Sequence, residues 1–106
     1  MADVIAKFEL IARQKGQASF PVCIEICRPE PSSKMAPAWQ CSVSVTPLWN
    51  GPFLIYGEGS FHTLCLGAKH ALQMLDTFVA QGGTLVHSDG SEFEAESFGF
   101  KLLARE

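Results

Sequence analysis

The sequence predicts an α+β fold in ββββα order: a four-stranded antiparallel sheet, with a short tail segment as a candidate fifth strand, packed against one long helix. Three observations carry this. From Ser60 onward, Phe61, Leu64, Cys65, Ala68, Ala71, Leu72, Leu75, Phe78 and Val79 recur three and four apart, the spacing of one apolar helix face. Trp39, Cys41, Val43 and Val45 alternate with Gln40, Ser42, Ser44 and Thr46, the period of a half-buried strand. Everything before the helix reads as strand and turn, so the surface that the helix stripe needs is a sheet.

The strands follow in order. Val4 to Arg13 fits a strand, with Phe8 and Leu10 alternating against Lys7 and Glu9, although Ile5, Phe8 and Ala12 also suit a short helix. The polar, Gly16-containing stretch 14 to 19 and the β-formers from Phe20 to Arg28 favour a hairpin, hence a strand for 4 to 13. In the second strand Val22, Ile24 and Ile26 face one way, and Cys23, Glu25 and Cys27 the other. Three prolines between Arg28 and Pro37 keep that stretch out of helix and ladder, predicting an exposed loop. After the strand from Trp39 to Thr46, Asn50-Gly51 marks a turn into Phe53-Leu54-Ile55-Tyr56.

Ser60 is the expected N-cap of the helix, and Gly82-Gly83 its stop. Beyond it, 84 to 87 and 92 to 94 flank Ser88-Asp89-Gly90 as a small hairpin or irregular excursion. Residues 97 to 103, where Phe98, Phe100 and Leu102 alternate, suit a last short strand, and a helical turn nearly as well.

At 106 residues, 47% hydrophobic and 18% charged, the chain reads as one domain, 1 to 106, able to bury about two thirds of its unfolded surface. A net charge of −3 with no basic cluster argues against nucleic acid as a partner. The N-terminal residues lack a basic leader and an apolar core, and no segment is long enough to cross a bilayer, so the expectation is a cytoplasmic protein without membrane contact. In that compartment Cys23, Cys27, Cys41 and Cys65 are free thiols.

No motif for catalysis, metal or cofactor rises above a structural explanation. Cys23 and Cys27 on one strand lie roughly 13 Å apart, too far to share an ion. His62, Cys65 and His70 near the helix start offer a thiol and two imidazoles, yet Cys65 falls within the apolar stripe and is expected to point into the core. His87, Ser88, Asp89 and Ser91 are residue types that turns use for their own backbone. More suggestive are the aromatics of the third and fourth strands: Trp39, Tyr56 and above all Trp49 in the intervening turn, joined by Met35 in the proline-rich loop, as a binding surface. An exposed turn tryptophan is an interaction anchor; one folded back extends a limited core.

Ile5-Ala6, Arg28-Pro29, Trp39-x-Cys41, and Gly59 before a helix containing Ala71-Leu72-Gln73 together resemble a small uncharacterised bacterial domain family of unknown function, over most of the chain up to the helix end. Family members carry an acidic residue after the glycine, where this chain has Ser60-Phe61-His62. The resemblance implies a compact cytosolic bacterial domain and supplies no activity, cofactor or catalytic residue. The functional expectation is therefore a small non-enzymatic interaction module of inhibitor or immunity type, engaging a protein partner or a second copy of itself. The alternative is a small ligand-binding protein or a thiol enzyme using the helix start.

Overall fold

A computed structural model describes residues 3–102. It is α+β: strands β1 (Val4–Arg13), β2 (Phe20–Cys27), β3 (Glu30–Pro31), β4 (Trp39–Thr46) and β5 (Phe53–Gly57), helix α1 (Ser60–Ala80), strand β6 (Thr84–Val86) and a single 3-10 turn at Ala95–Phe98. Every pairing is antiparallel. The ambiguous first segment is strand throughout, paired to β2 from Val4↔Cys27 to Ala12↔Phe20 with a bulge between Val4 and Ala6.

The sheet has six strands rather than four or five. One addition is β6, three residues laid on the end of β1. The other is β3, inside the stretch expected to form no ladder: Glu30 pairs with Gln40 and Pro31 with Trp39. Val43 pairs with both Ile26 and Phe53, and Trp39 with both Pro31 and Gly57, so β2 and β3 share one side of β4 and β5 takes the other. The resulting order is β5, β4, β2 with β3, β1, β6.

Backbone direction can be followed across this sheet. The Phe93 N–H donates to the Leu85 carbonyl, which turns Leu85 away from β1 and its neighbours Thr84 and Val86 toward it. Carried strand to strand by antiparallel alternation, this turns Cys41 and Val43 toward β5. The Trp49 N–H to Val45 carbonyl bond of 3.0 Å agrees, since it requires Val45 to face away from β2. Pro31 stands opposite Trp39, whose groups point to β5, so the missing proline N–H leaves no gap in the ladder.

The helix lies over β4 and β5. Where it crosses, both layers lack a side chain: a Cβ on Gly67 would sit 2.7 Å from Cys41 Sγ and 3.2 Å from Val43 Cγ2, and one on Gly57 would sit 2.5 Å from Thr63 Oγ1. This contact settles which helix face is buried. Thr63, Gly67, Ala71, Met74, Leu75 and Phe78 face the sheet, while Phe61 is 78% exposed and Cys65 only partly buried. The apolar stripe is thus turned by about one residue position from the true contact face, because small residues that permit close approach carry little hydrophobic weight.

Both helix ends depart from or refine expectation. The N-cap is Gly59 rather than Ser60, which lies inside the first turn with no side-chain cap bond; His62 Nδ1 instead accepts from the Glu58 N–H at 2.9 Å. At the other end Gly82, at φ 103, and Gly83 donate to the carbonyls of Val79 and Phe78. Those two bonds form a Schellman motif.

The inner face of β1 and β2, left open by the helix, is covered by the C-terminal segment. Phe93, Ala95 and Leu102 are buried there, and the Phe8 ring meets Phe98, Phe93 and His87 at centroid distances of 5.7, 5.8 and 5.9 Å. In place of a strand or helical turn over 97 to 103, a 3-10 turn at Ala95–Phe98 leads into an irregular run. Leu103 lies outside the described residues. Among the described residues no helix is long and apolar enough to cross a membrane.

Two stability outcomes follow from this packing. Leu75→Ala, at a fully buried site, is expected to cost about 2–5 kcal/mol, whereas Phe61→Ala should stay within about 0.5 kcal/mol; equal urea midpoints for the two variants would refute the assigned helix face. Gly67→Ala should destabilise by about 1–2 kcal/mol despite alanine's better helix propensity. Adding Cys41→Ala should recover part of that loss, read as a coupling energy in a double-mutant cycle.

Candidate functional site

The β4–β5 hairpin is where the candidate binding features converge. Its connection, 47 to 52, uses Gly51 at φ 71, a left-handed conformation that glycine takes without strain. The Trp49 to Val45 bond curls the chain back, so that Trp49 packs half-buried against the core. There it meets a cleft of about 500 Å³ walled by Phe20 and Phe78 and edged by Gln14, Gln17 and Gln81. Phe20 and Phe78, both lining the cleft, form an edge-on ring pair at 6.5 Å.

The second feature is the outer edge of β5. Because Cys41 and Val43 are turned toward Ile55 and Phe53, the intervening Leu54 and Tyr56 present their N–H and C=O groups to the open side. Among the described residues nothing pairs with that edge. Leu54 is 52% exposed and no charged residue lies between Phe53 and Gly57. The other flank differs: β1 carries Lys7, Glu9 and a bulge, and its end is covered by β6. Charges, bulges and covering segments are the usual protection of sheet edges, and β5 has none of them.

Of the aromatic and loop residues singled out by sequence, Tyr56 shares the outer face with Leu54, two residues away. Trp39 is on the inner face opposite Gly57, at the end of β4 far from Trp49, roughly 23 Å along the strand. Met35 is 52% exposed on the loop before β4, its N–H bonded to Ser32 Oγ. The four therefore form no single patch. Leu54 was missed by sequence reasoning; its signal was a short apolar strand without a charge, bounded by Pro52 and Gly57.

His62, Cys65 and His70 also separate. The His62 Nδ1 lone pair is occupied by the Glu58 amide. Cys65 is half-buried, and the His70 ring packs tilted, at 59°, against Phe53 with centroids 5.2 Å apart, its Nε2 buried and unpartnered among the described residues. In the 87 to 91 turn, Asp89 Oδ1 accepts from Ser91 Oγ at 2.6 Å and from the Ser91 N–H at 2.9 Å, and these bonds hold its carboxyl below the usual carboxylate range. The His87 ring packs on Phe8 and Phe93. Among the described residues no group of three or more metal-ligating side chains occurs.

All four cysteines are free. Burial pushes the Cys41 thiol up, reinforced by neighbouring Cys27, and its Sγ lies 3.6 Å from the Thr63 carbonyl. Cys23, on the outer face, is also raised, first by burial and then by Glu25 and Glu9 against the opposing pull of Lys7. An apolar recess of about 240 Å³ lies between α1 and the C-terminal segment, lined by Ala6, Phe8, Ile26, Leu72, Phe98 and Phe100. It falls below the roughly 300–1,000 Å³ of typical ligand pockets, a range that contains the Trp49 cleft.

The raised thiols set a pH dependence. Below the ordinary thiol range both folded and unfolded chains hold the protons, so these groups leave stability unchanged; above it the unfolded chain releases protons that the fold retains, and stability falls. Urea melts should be level through neutral pH and decline in alkali, with a shallower decline in Cys41→Ala; iodoacetamide should label Cys41 only after unfolding. Rapid labelling of native Cys41 at neutral pH would contradict its placement. No protein-family model, no curated protein and no solved structure matches this chain.

Proposed function

We propose that the chain is a non-enzymatic protein-interaction module that captures an extended, apolar segment of a partner protein as an added strand on β5. The observation supporting this reading is the uncharged, uncovered β5 edge with the outward backbone groups of Leu54 and Tyr56. Strand addition supplies main-chain bonds for affinity and side-chain contacts for selectivity. Four such bonds, at about 0.5–1.5 kcal/mol each, give about 2–6 kcal/mol, short of the roughly 8 kcal/mol of a micromolar complex. The remainder falls to the Leu54 and Tyr56 side chains, the only large ones on the outer face of this strand.

The test is quantitative co-purification of the tagged protein from its native cells, with Leu54→Lys and Tyr56→Glu as edge variants and hydrogen exchange on the isolated complex. The expected result is one stoichiometric polypeptide that disappears with either edge variant and slows exchange at the Leu54 and Tyr56 amides. A partner retained undiminished by both variants, or one protecting amides elsewhere only, would sink the β5 reading.

A further inference from the structure

We propose that the Trp49 cleft is a second, independent binding site, for a neutral polyhydroxylated ligand of one or two sugar rings. Its chemistry is selective. Trp49 and Phe20 give aromatic surface, whose electron-rich faces attract the C–H faces of a sugar ring. Gln14, Gln17 and Gln81 stand around it from two elements, the β1–β2 turn and the end of α1. Each carboxamide offers two donors and an acceptor, matching hydroxyl groups that both donate and accept.

The exclusions are as informative as the fit. No charged side chain lines the cleft, so a phosphorylated, carboxylated or cationic ligand would lose its hydration there without a compensating ion. Wholly apolar ligands would strip water from three amides and offer nothing in return. The cleft volume of about 500 Å³ suits a small molecule rather than a polypeptide strand. Among the described residues the three side-chain amides make no hydrogen bonds within the chain, so they are available to a ligand.

This site lies at the β4–β5 turn, away from the outer edge of β5, and neither proposal rests on the other. The experiment titrates the protein, in a Trp39→Phe background that leaves Trp49 as the sole indole, with glucose, galactose, maltose, cellobiose and chitobiose, and with adenosine as the competing aromatic ligand class. Trp49 fluorescence and amide chemical shifts of 14 to 20, 48 to 50 and 78 to 81 are read. Retention on immobilised amylose, cellulose and chitin separates a free sugar from the end of a polymer as the source.

Saturable binding of at least one sugar, in solution or on its polymer, is expected, with shifts confined to those segments. Trp49→Ala should weaken it about tenfold or more, and Gln81→Ala or Gln17→Ala about three- to tenfold, each with an unchanged far-ultraviolet spectrum. Gln81→Glu, which keeps the shape and adds a charge, should weaken it too and serves as a second probe if Trp49→Ala is unstable. No binding to any sugar or polymer, binding that survives both Trp49→Ala and Gln81→Glu, or tighter binding of adenosine than of every sugar would overturn the proposal.

Discussion

The rest of the molecule depends on the contact between α1 and the β4–β5 hairpin at Gly67 and Gly57. Two layers separated by ordinary side chains stand about 10 Å apart; here each layer omits a side chain where the other projects one, at Gly67 over Cys41 and at Gly57 under Thr63. The helix is thereby held to one half of the sheet. Because one helix cannot also cover β1 and β2, the chain beyond Gly83 is recruited as a second cover, and Phe93, Ala95 and Leu102 become core residues. A short loop, Glu58-Gly59, fixes the start of this arrangement, while the Schellman turn at Gly82 and Gly83 directs the chain into β6.

What was legible in the sequence is what local periodicity can encode. The four long strands and the helix, from Ser60 to its glycine stop, were readable because alternation and the three-and-four spacing survive in a single segment. The rotation of the helix face was not. Thr63 and Gly67 weigh little on any hydrophobic reckoning, yet they decide how close the helix comes, Thr63 against Gly57 and Gly67 against Cys41 and Val43, the last two more than twenty residues before it. The role of Phe93 and Leu102 was hidden for a similar reason: their burial depends on space that the helix leaves unfilled. β3 was hidden by its proline, which is harmless only because its partner's backbone points to β5.

The candidate site divides in the same way. Trp49 stood out as a large aromatic in a turn, but whether it projected or folded back turned on one backbone bond to Val45. Its neighbours in the cleft come from the β1–β2 turn and the end of the helix, which sequence order separates and the fold brings together. Leu54 lies in a short uncharged strand between Pro52 and Gly57, but its significance comes from the sheet order that leaves β5 outermost. In both cases the residue type was visible and the geometry that gives it meaning was not.

The two flanks of the sheet are unequal, and this has a consequence for assembly size. A sheet open at both edges can add copies indefinitely, each new member exposing a fresh edge like the first, which is the route to filaments. Here growth is possible from one side only, since Lys7, Glu9, the β1 bulge and β6 close the other. Whatever strand joins β5, the far end of the enlarged sheet is still a capped one. If the incoming strand is itself the outermost strand of a similarly capped protein, the combined sheet ends in two closed flanks, and the assembly stops at two members.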